Sequence, residues 1–367
     1  MHWRNKANFW IVFGTTMLVI TTGVYFGLRK PNNSQQRTEI ANILAPRAPR
    51  QAFPSPIASP FPFQEMTIPY LRQRNYESQL GQLQLLSENQ NYTSYVTSYN
   101  SDGFRVNGLL TIPKGNPSTS SGNNVVTRWP AIVFVHGYIP PVQYRTTQNY
   151  ASYVDYLARN GFVVFKIDLR GHDQSEGEAG GSYYSEDYIV DTLNARAALQ
   201  AADFVNPDAV GLWGHSMAGN VTFRAFVAKM DIPALVIWAG AVYTYEDMSE
   251  FGIDDNSYRP PAQDSERVRE RQRLRDTYGN FDPNSWFWQQ VAPTNYLEGV
   301  RGAIQINHAI DDPVVSISYS RNVMQILDQT SIIHELKEYP SGGHNISGDS
   351  FTAAMQNTVA FFKKHLQ

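Results

Sequence analysis

Val210-Gly211-Leu212-Trp213-Gly214-His215-Ser216-Met217-Ala218-Gly219 is the stretch on which the fold turns. An apolar, strand-like approach ends in a serine bracketed by small residues, and a helix-like segment, 220–230, follows at once. This is the sequence form of a strand-to-helix turn tight enough to hold a seryl oxygen out at the end of a sheet. Gly214 and Ala218 are small because bulk there would collide across the turn, and Gly219 leaves room where helix and strand pack. The residue after the serine, Met217, offers its backbone N–H to an oxyanion.

Outward from this turn the chain alternates short apolar runs with amphipathic ones. Strands are expected at Ala131–Val135, Phe162–Ile167, Ala209–Trp213, Ala234–Ala239, Ala303–Asn307 and Ile332–Tyr339. Helices are expected at Tyr150–Arg159, Glu186–Ala202, Val221–Met230, Tyr319–Leu327 and Phe351–His365. Uninterrupted apolar strands separated by helices imply a largely parallel sheet covered on both faces, an α/β architecture. Tyr92–Tyr99 and Phe104–Ile112, joined through Ser101-Asp102-Gly103, read as a hairpin ahead of it. Met66–Leu86 reads as a helical or irregular lead-in, and 114–128 as a polar loop. The alternation breaks at about 243–300, an insertion expected to sit over the strand ends as a cap. It holds a charged helical run, Asp264–Asp276, and the aromatic knot Trp286-Phe287-Trp288, which suits either a cap core or an acyl-binding wall.

The front of the chain differs from the rest. Ala7–Leu28 is a 22-residue stretch without a charge; as a helix it reaches roughly 33 Å at about 1.5 Å per residue, enough to cross a bilayer core. Residues 1–30 are therefore expected to form an uncleaved membrane anchor, with the catalytic part exported. Residues 31–65 carry seven prolines and no apolar periodicity, as a tether does, although Phe61-Pro62-Phe63 also suits an arm lying on the domain. Residues 66–367 are then the catalytic domain. Residues 1–63 hold seven Lys/Arg and one acid, leaving 23 basic and 32 acidic residues after them. A body that acidic is a poor partner for nucleic acid. The chain has no cysteine, which excludes disulfides, thiolate metal sites and a cysteine nucleophile.

A serine hydroxyl attacks only when a histidine takes its proton and a carboxylate steadies the imidazolium that results. Of eight histidines, His2 and His365 are terminal, His215 lies in the turn with its ring expected to point away from the reaction, and His334 sits in a strand pattern. His136, His172 and His308 end strands that precede the place where a base belongs. His344, in the loop Tyr339-Pro340-Ser341-Gly342-Gly343-His344-Asn345, follows the last strand and is the expected base. The acid should end the strand before, where Asp311 and Asp312 stand side by side. Asp312, directly before Pro313-Val314-Val315, is preferred, with Asp311 left to cap the following turn or the start of the next helix. Val133-Phe134-Val135-His136-Gly137-Tyr138 ends a strand with His-Gly and places the Tyr138 N–H as a second oxyanion donor beside that of Met217. Asp168-Leu169-Arg170-Gly171-His172 reads as a bracing loop beneath the site. No spacing of His, Asp or Glu forms a metal set, and no cofactor is assigned.

With these residues in place the chain resembles the α/β-hydrolase superfamily, and within it the catalytic module of prolyl-oligopeptidase-type serine peptidases and related acyl esterases. The likeness covers about residues 92–366. It rests on His136-Gly137-Tyr138, Asp168 to His172, Gly214-His215-Ser216-Met217-Ala218-Gly219, His308 to Asp312 with Val315, and Gly343-His344. It implies that Ser216, Asp312 and His344 form a triad, the acid standing four positions after a similar histidine. Two departures stand out. Ala309 takes the place of a glycine after His308, and anchor and tether take the place of the propeller that gates the large peptidases. The expected activity is acyl transfer to water, on peptide amides or on carboxylic esters. A binding protein that keeps the fold without the reaction is disfavoured, because nucleophile, base and acid are all available.

Overall fold

The computed structural model of the protein describes residues 60–115 and 128–366. The expected membrane helix, nearly all of the tether and most of the 114–128 loop lie outside these residues. Among the described residues no helix is long and apolar enough to cross a membrane. The described residues form one compact unit. The Phe61 ring meets Trp286 edge-on at 5.0 Å, so the end of the expected tether lies against the domain.

The lead-in contains a short helix, α1 (Ile68–Gln73), capped by Thr67, and then a strand, β1 (Gln84–Glu88). That strand corrects the expectation of a helical or irregular stretch. All five of its residues are exposed, so no buried face imposes the alternation by which strands are read. Strands β2 (Tyr92–Ser101) and β3 (Phe104–Pro113) form the expected hairpin. Then come β4 (Trp129–Val135), α2 (Ala151–Arg159), β5 (Val163–Ile167), α3 (Asp187–Gln200), β6 (Val205–His215), α4 (Met217–Ala228) and β7 (Ala234–Trp238). The insertion contributes α5 (Tyr245–Phe251), α6 (Glu266–Tyr278) and α7 (Trp286–Val291). After it follow β8 (Ala303–Ala309), α8 (Ser318–Leu327), β9 (His334–Tyr339) and α9 (Asp349–His365).

The nine strands make one sheet in the order β1-β2-β3-β5-β4-β6-β7-β8-β9. The first three run antiparallel to their neighbours, and from β5 to β9 every pairing is parallel. Alternate residues of the central strands feed two cores. Val133, Leu212 and Leu235 face α3 and α4, whereas Phe134, Trp213 and Val236 face α2 and α9. Phe134 stacks on Trp213 at 3.9 Å across the β4–β6 pair. Because β4, β6, β8 and β9 are parallel, the loops that follow them gather along one edge of the sheet, where ligands bind in folds of this kind.

In the cap, Phe287 and Trp288 are buried. Phe287 stacks flat on Tyr278 at 3.9 Å, and Trp288 meets Tyr245 and Phe281 edge-on. The aromatic knot is thus the core of the insertion. Of the charged run, Arg269 and Arg273 lie on the solvent face, but Arg267 is buried and pairs with Asp187 at the start of α3. Asp187 in turn binds Arg170, whose guanidinium also grips the buried Asp191 at 2.6 Å. One ion network therefore joins the cap, the β5 loop and α3.

Candidate active site

Ser216 stands between β6 and α4 with φ 54° and ψ −121°, a conformation that non-glycine residues adopt only when their surroundings hold them there. Close packing enforces it. A Cβ at Gly214 would come within 2.6 Å of Thr222 Oγ1 and 2.7 Å of the Ala218 carbonyl, and one at Gly219 within 2.6 Å of Gly240 Cα. The Ser216 N–H donates to the Trp238 carbonyl at 2.9 Å, and its own carbonyl accepts from Gly219 N–H at 2.8 Å. Met217 opens α4, so its N–H has no carbonyl one turn back to bond within the helix. Across β4, Gly137 and Tyr138 follow the parallel partner strand at the same edge. The Tyr138 hydroxyl accepts the Arg259 N–H at 2.8 Å and lies 3.3 Å from the Arg259 carbonyl, tying the cap to this loop.

His344 sits in a 3-10 turn, Gly343–Asn345, just past β9. Its Nδ1 is 2.8 Å from Asp312 Oδ2. The same oxygen lies 3.1 Å from Nε2 of His308. The second oxygen, Oδ1, accepts the N–H groups of Val314 and Val315 at 2.8 and 3.0 Å. The Asp312 side chain is fully buried. Burial by itself would raise its carboxyl, but the hydrogen bonds from His308 and His344 outweigh that and hold it well below the usual carboxylate range. The group is therefore a carboxylate at neutral pH, aimed at the His344 ring. Asp311 does something else: its carboxylate accepts the N–H groups of Gly343 and Gly342 at 2.9 and 3.3 Å, bracing the loop that carries His344. It does not cap the turn after Pro313, as expected of it; Asp312 itself takes that backbone through Val314 and Val315.

Two further histidines do work that the sequence does not announce. His308 holds the back of Asp312 while its Nδ1 lies 2.7 Å from Ser320 Oγ on α8. His215 is turned toward the site and not away from it: its Nε2 is 2.9 Å from the His344 carbonyl, and the two rings lie 4.7 Å apart. Its Nδ1 lies 2.7 Å from the Tyr150 hydroxyl, and a Cβ at Gly137 would come within 2.9 Å of the same nitrogen. The loop after β5 braces from below. The Asp168 carboxylate accepts from Tyr144 at 2.9 Å and Thr146 at 2.6 Å, and the buried Lys166 ammonium donates to the same Tyr144 at 2.8 Å. Burial pushes Asp168 up to about 6 and Lys166 down to about 8. Among the described residues no group of three or more His, Asp or Glu side chains is arranged to hold a metal ion.

Ser216 after β6, Asp312 after β8 and His344 after β9, on a mostly parallel sheet with β3 antiparallel to it, form the layout on which hydrolytic triads are built in chain order Ser, Asp, His. The chain has the α/β-hydrolase fold. A family model described as serine aminopeptidase, S33, matches residues 129–253. A thiohydrolase of Aspergillus aculeatus, AneE, is 27% identical over 124 residues, which are 34% of each chain. That match spans only about a third of the relative's length. Acetyl xylan esterase 1 of Thermoanaerobacterium is similar in structure, with TM-score 0.54 and 18% identity over 80% of this chain and 90% of the esterase. A puromycin-hydrolysing peptidase of Mycobacterium tuberculosis gives TM-score 0.57 and 17% identity over 76% of this chain and 40% of the peptidase.

Proposed function

We propose that this α/β-hydrolase is a serine hydrolase that cleaves acyl bonds through a covalent acyl-enzyme. Ser216 Oγ attacks the carbonyl as His344 Nε2 takes its proton. The tetrahedral oxyanion is received by the N–H groups of Tyr138 and Met217. The proton then passes to the leaving group, and water enters by the same route in reverse to release the acid and restore Ser216. Asp312 keeps the His344 proton on Nδ1, so that Nε2 is the free base, and stabilises the imidazolium. The observation that carries this reading is the 2.8 Å contact between Asp312 and His344 on the sheet edge where Ser216 holds its strained turn.

Two substrate classes fit. The resemblance to prolyl-oligopeptidase-type modules and the serine-aminopeptidase family match favour peptide amides. The likeness over 90% of an acetyl xylan esterase favours carboxylic esters. A panel of aminoacyl amides and short acyl esters separates them: turnover of both classes supports a peptidase, and turnover of esters alone sinks the peptidase label. We further propose that residues 1–30 anchor the protein in a membrane and residues 31–65 tether a catalytic domain on the extracytoplasmic side. Release of the full chain from membranes by carbonate wash, without detergent, would contradict the anchor.

A further inference from the structure

We propose that Tyr150 and His215 are positioning residues that lock the loop bearing the base to the loop bearing the oxyanion donor through one unbroken chain of hydrogen bonds. The inference rests on the reading of Ser216 and His344 given above. The chain runs through four groups. The Gly137 N–H is 3.0 Å from the Tyr150 hydroxyl, that hydroxyl is 2.7 Å from His215 Nδ1, and His215 Nε2 is 2.9 Å from the His344 carbonyl.

Every proton in this chain can be placed. A carbonyl only accepts, so His215 donates to His344 from Nε2–H. Burial, with the neighbouring His344 adding to it, pulls His215 down to about 3, so the ring is neutral and its Nδ1 is an acceptor. Tyr150 must then donate its O–H to Nδ1, which leaves a lone pair on the same oxygen for the Gly137 N–H. Burial also holds the phenol well above its ordinary range, so it keeps that proton. Each donor meets an acceptor, in a fixed direction, with none left over.

The placement of the chain in the sequence is what gives it a function. Gly137 precedes the oxyanion donor Tyr138, His215 precedes Ser216, and the final acceptor belongs to His344 itself. Three of the four groups are thus one residue or less from a reacting part, each at or just past the end of a different strand, and Tyr150 at the start of α2 joins them. Two further observations show that the fold is shaped around this junction. A Cβ at Gly137 would fall 2.9 Å from both His215 Nδ1 and the Tyr150 hydroxyl, so only glycine admits the two side chains. Tyr150 itself is left-handed, with φ 61° and ψ 20°, a backbone state that a bulky residue holds only where its surroundings impose it. Its ring is wedged edge-on against Phe134 at 5.4 Å and Trp213 at 6.1 Å.

The test uses the full chain, p-nitrophenyl acetate as substrate and a fluorophosphonate as acylating probe, with thermal melting measured alongside. Tyr150→Phe keeps the wedged ring and removes only the hydroxyl. His215→Gln carries an amide N–H to the Nε2 position and keeps the link to His344, whereas His215→Asn keeps only the link to Tyr150. Misplacing reacting groups lowers kcat more than it raises KM, so we expect kcat to fall about 10-fold in Tyr150→Phe and about 100-fold in His215→Asn, with KM within about 2-fold. His215→Gln should retain at least about 10-fold more activity than His215→Asn, and Tyr150→Phe with His215→Asn should lose no more than His215→Asn alone, because one chain is broken once. Unchanged kcat and probe reactivity in all three variants, with only the melting point lowered, would overturn the proposal, as would equal losses for Gln and Asn. Fluorophosphonate labelling that persists in Ser216→Ala would instead overturn the reading of the site beneath it.

Discussion

Asp312→Asn changes one atom of a group that has four hydrogen-bond donors around two oxygens. Oδ2 faces Nε2 of His308 and Nδ1 of His344, and Oδ1 faces the Val314 and Val315 amides. An asparagine has one oxygen and one NH2, so in either orientation it sets a donor against two donors. If the NH2 faces the imidazoles, His344 can accept it only by moving its own proton to Nε2, the atom that must take the Ser216 proton. If the NH2 faces the backbone, two buried amides lose their acceptor and the imidazolium loses its counter-charge. A wrong tautomer of this kind costs about 10⁴ in kcat, or about 5.5 kcal/mol of transition-state stabilisation. Stability should also fall, by about 3 kcal/mol, because hydrogen bonds to a buried charge are among the stronger ones. The assay is steady-state hydrolysis of p-nitrophenyl acetate, with urea unfolding to report the folded fraction. Asp311→Asn is the control: its carboxylate bonds Gly342 and Gly343 at the surface, and a flipped amide can still accept, so the loss should stay below about 5-fold. An Asp312→Asn enzyme within about 10-fold of the wild type, paired with an Asp311→Asn enzyme down by about 10³, would refute the assignment of the acid.

Three more outcomes are expected. Burial lowers His172 to about 4 and His215 to about 3, so both stay neutral in the fold but gain protons in the unfolded chain below about pH 6.5; stability should fall by about 1.4 kcal/mol per pH unit for each ring between about pH 6 and pH 4. Asp312, held below its unfolded value, adds to this loss under about pH 4, and urea midpoints should show a shallower acid limb in His172→Gln. Gly219→Ala drives a Cβ into Gly240 Cα at 2.6 Å and Ile237 Cγ2 at 3.1 Å; parting α4 from β7 should cost about 1–3 kcal/mol and lower kcat, both measurable on the purified variant. Arg170→Met leaves Asp191 fully buried without its cation and should destabilise by about 3–5 kcal/mol, most of it recovered when Asp191→Leu is added. Failure of the second change to recover stability would argue against the ion-pair account.

What the sequence makes legible here is what one period or one spacing encodes. The parallel strands from Ala131 to Ala309 are buried on both faces and read as apolar runs, and Gly214 to Gly219 spells the turn because sterics allow few alternatives. Strand β1 is invisible because no residue from Gln84 to Glu88 is buried, and the Trp286-Phe287-Trp288 knot gives no sign of which side of the cap it faces. The histidines show the same limit. Nothing local to Gly214-His215-Ser216 says that the ring will meet a carbonyl 129 positions away. The distinction between Asp311 and Asp312 likewise depends on which carboxylate the β8 loop turns inward. The preference for Asp312 drew on the proline after it and on the resemblance that sets the acid four positions after a histidine; the fold adds the reason, His308 Nε2 lying 3.1 Å from the Asp312 carboxylate.

The central claim is tested most directly by locating the reactive oxygen. Treat the full-length protein with a fluorophosphonate, digest it, and read the added mass by peptide sequencing in the mass spectrometer. The account predicts one stoichiometric adduct, on Ser216, absent from Ser216→Ala and slowed at least about 10²-fold in His344→Ala. An adduct on a different residue, or one that forms at the same rate without the 344 imidazole, would contradict it.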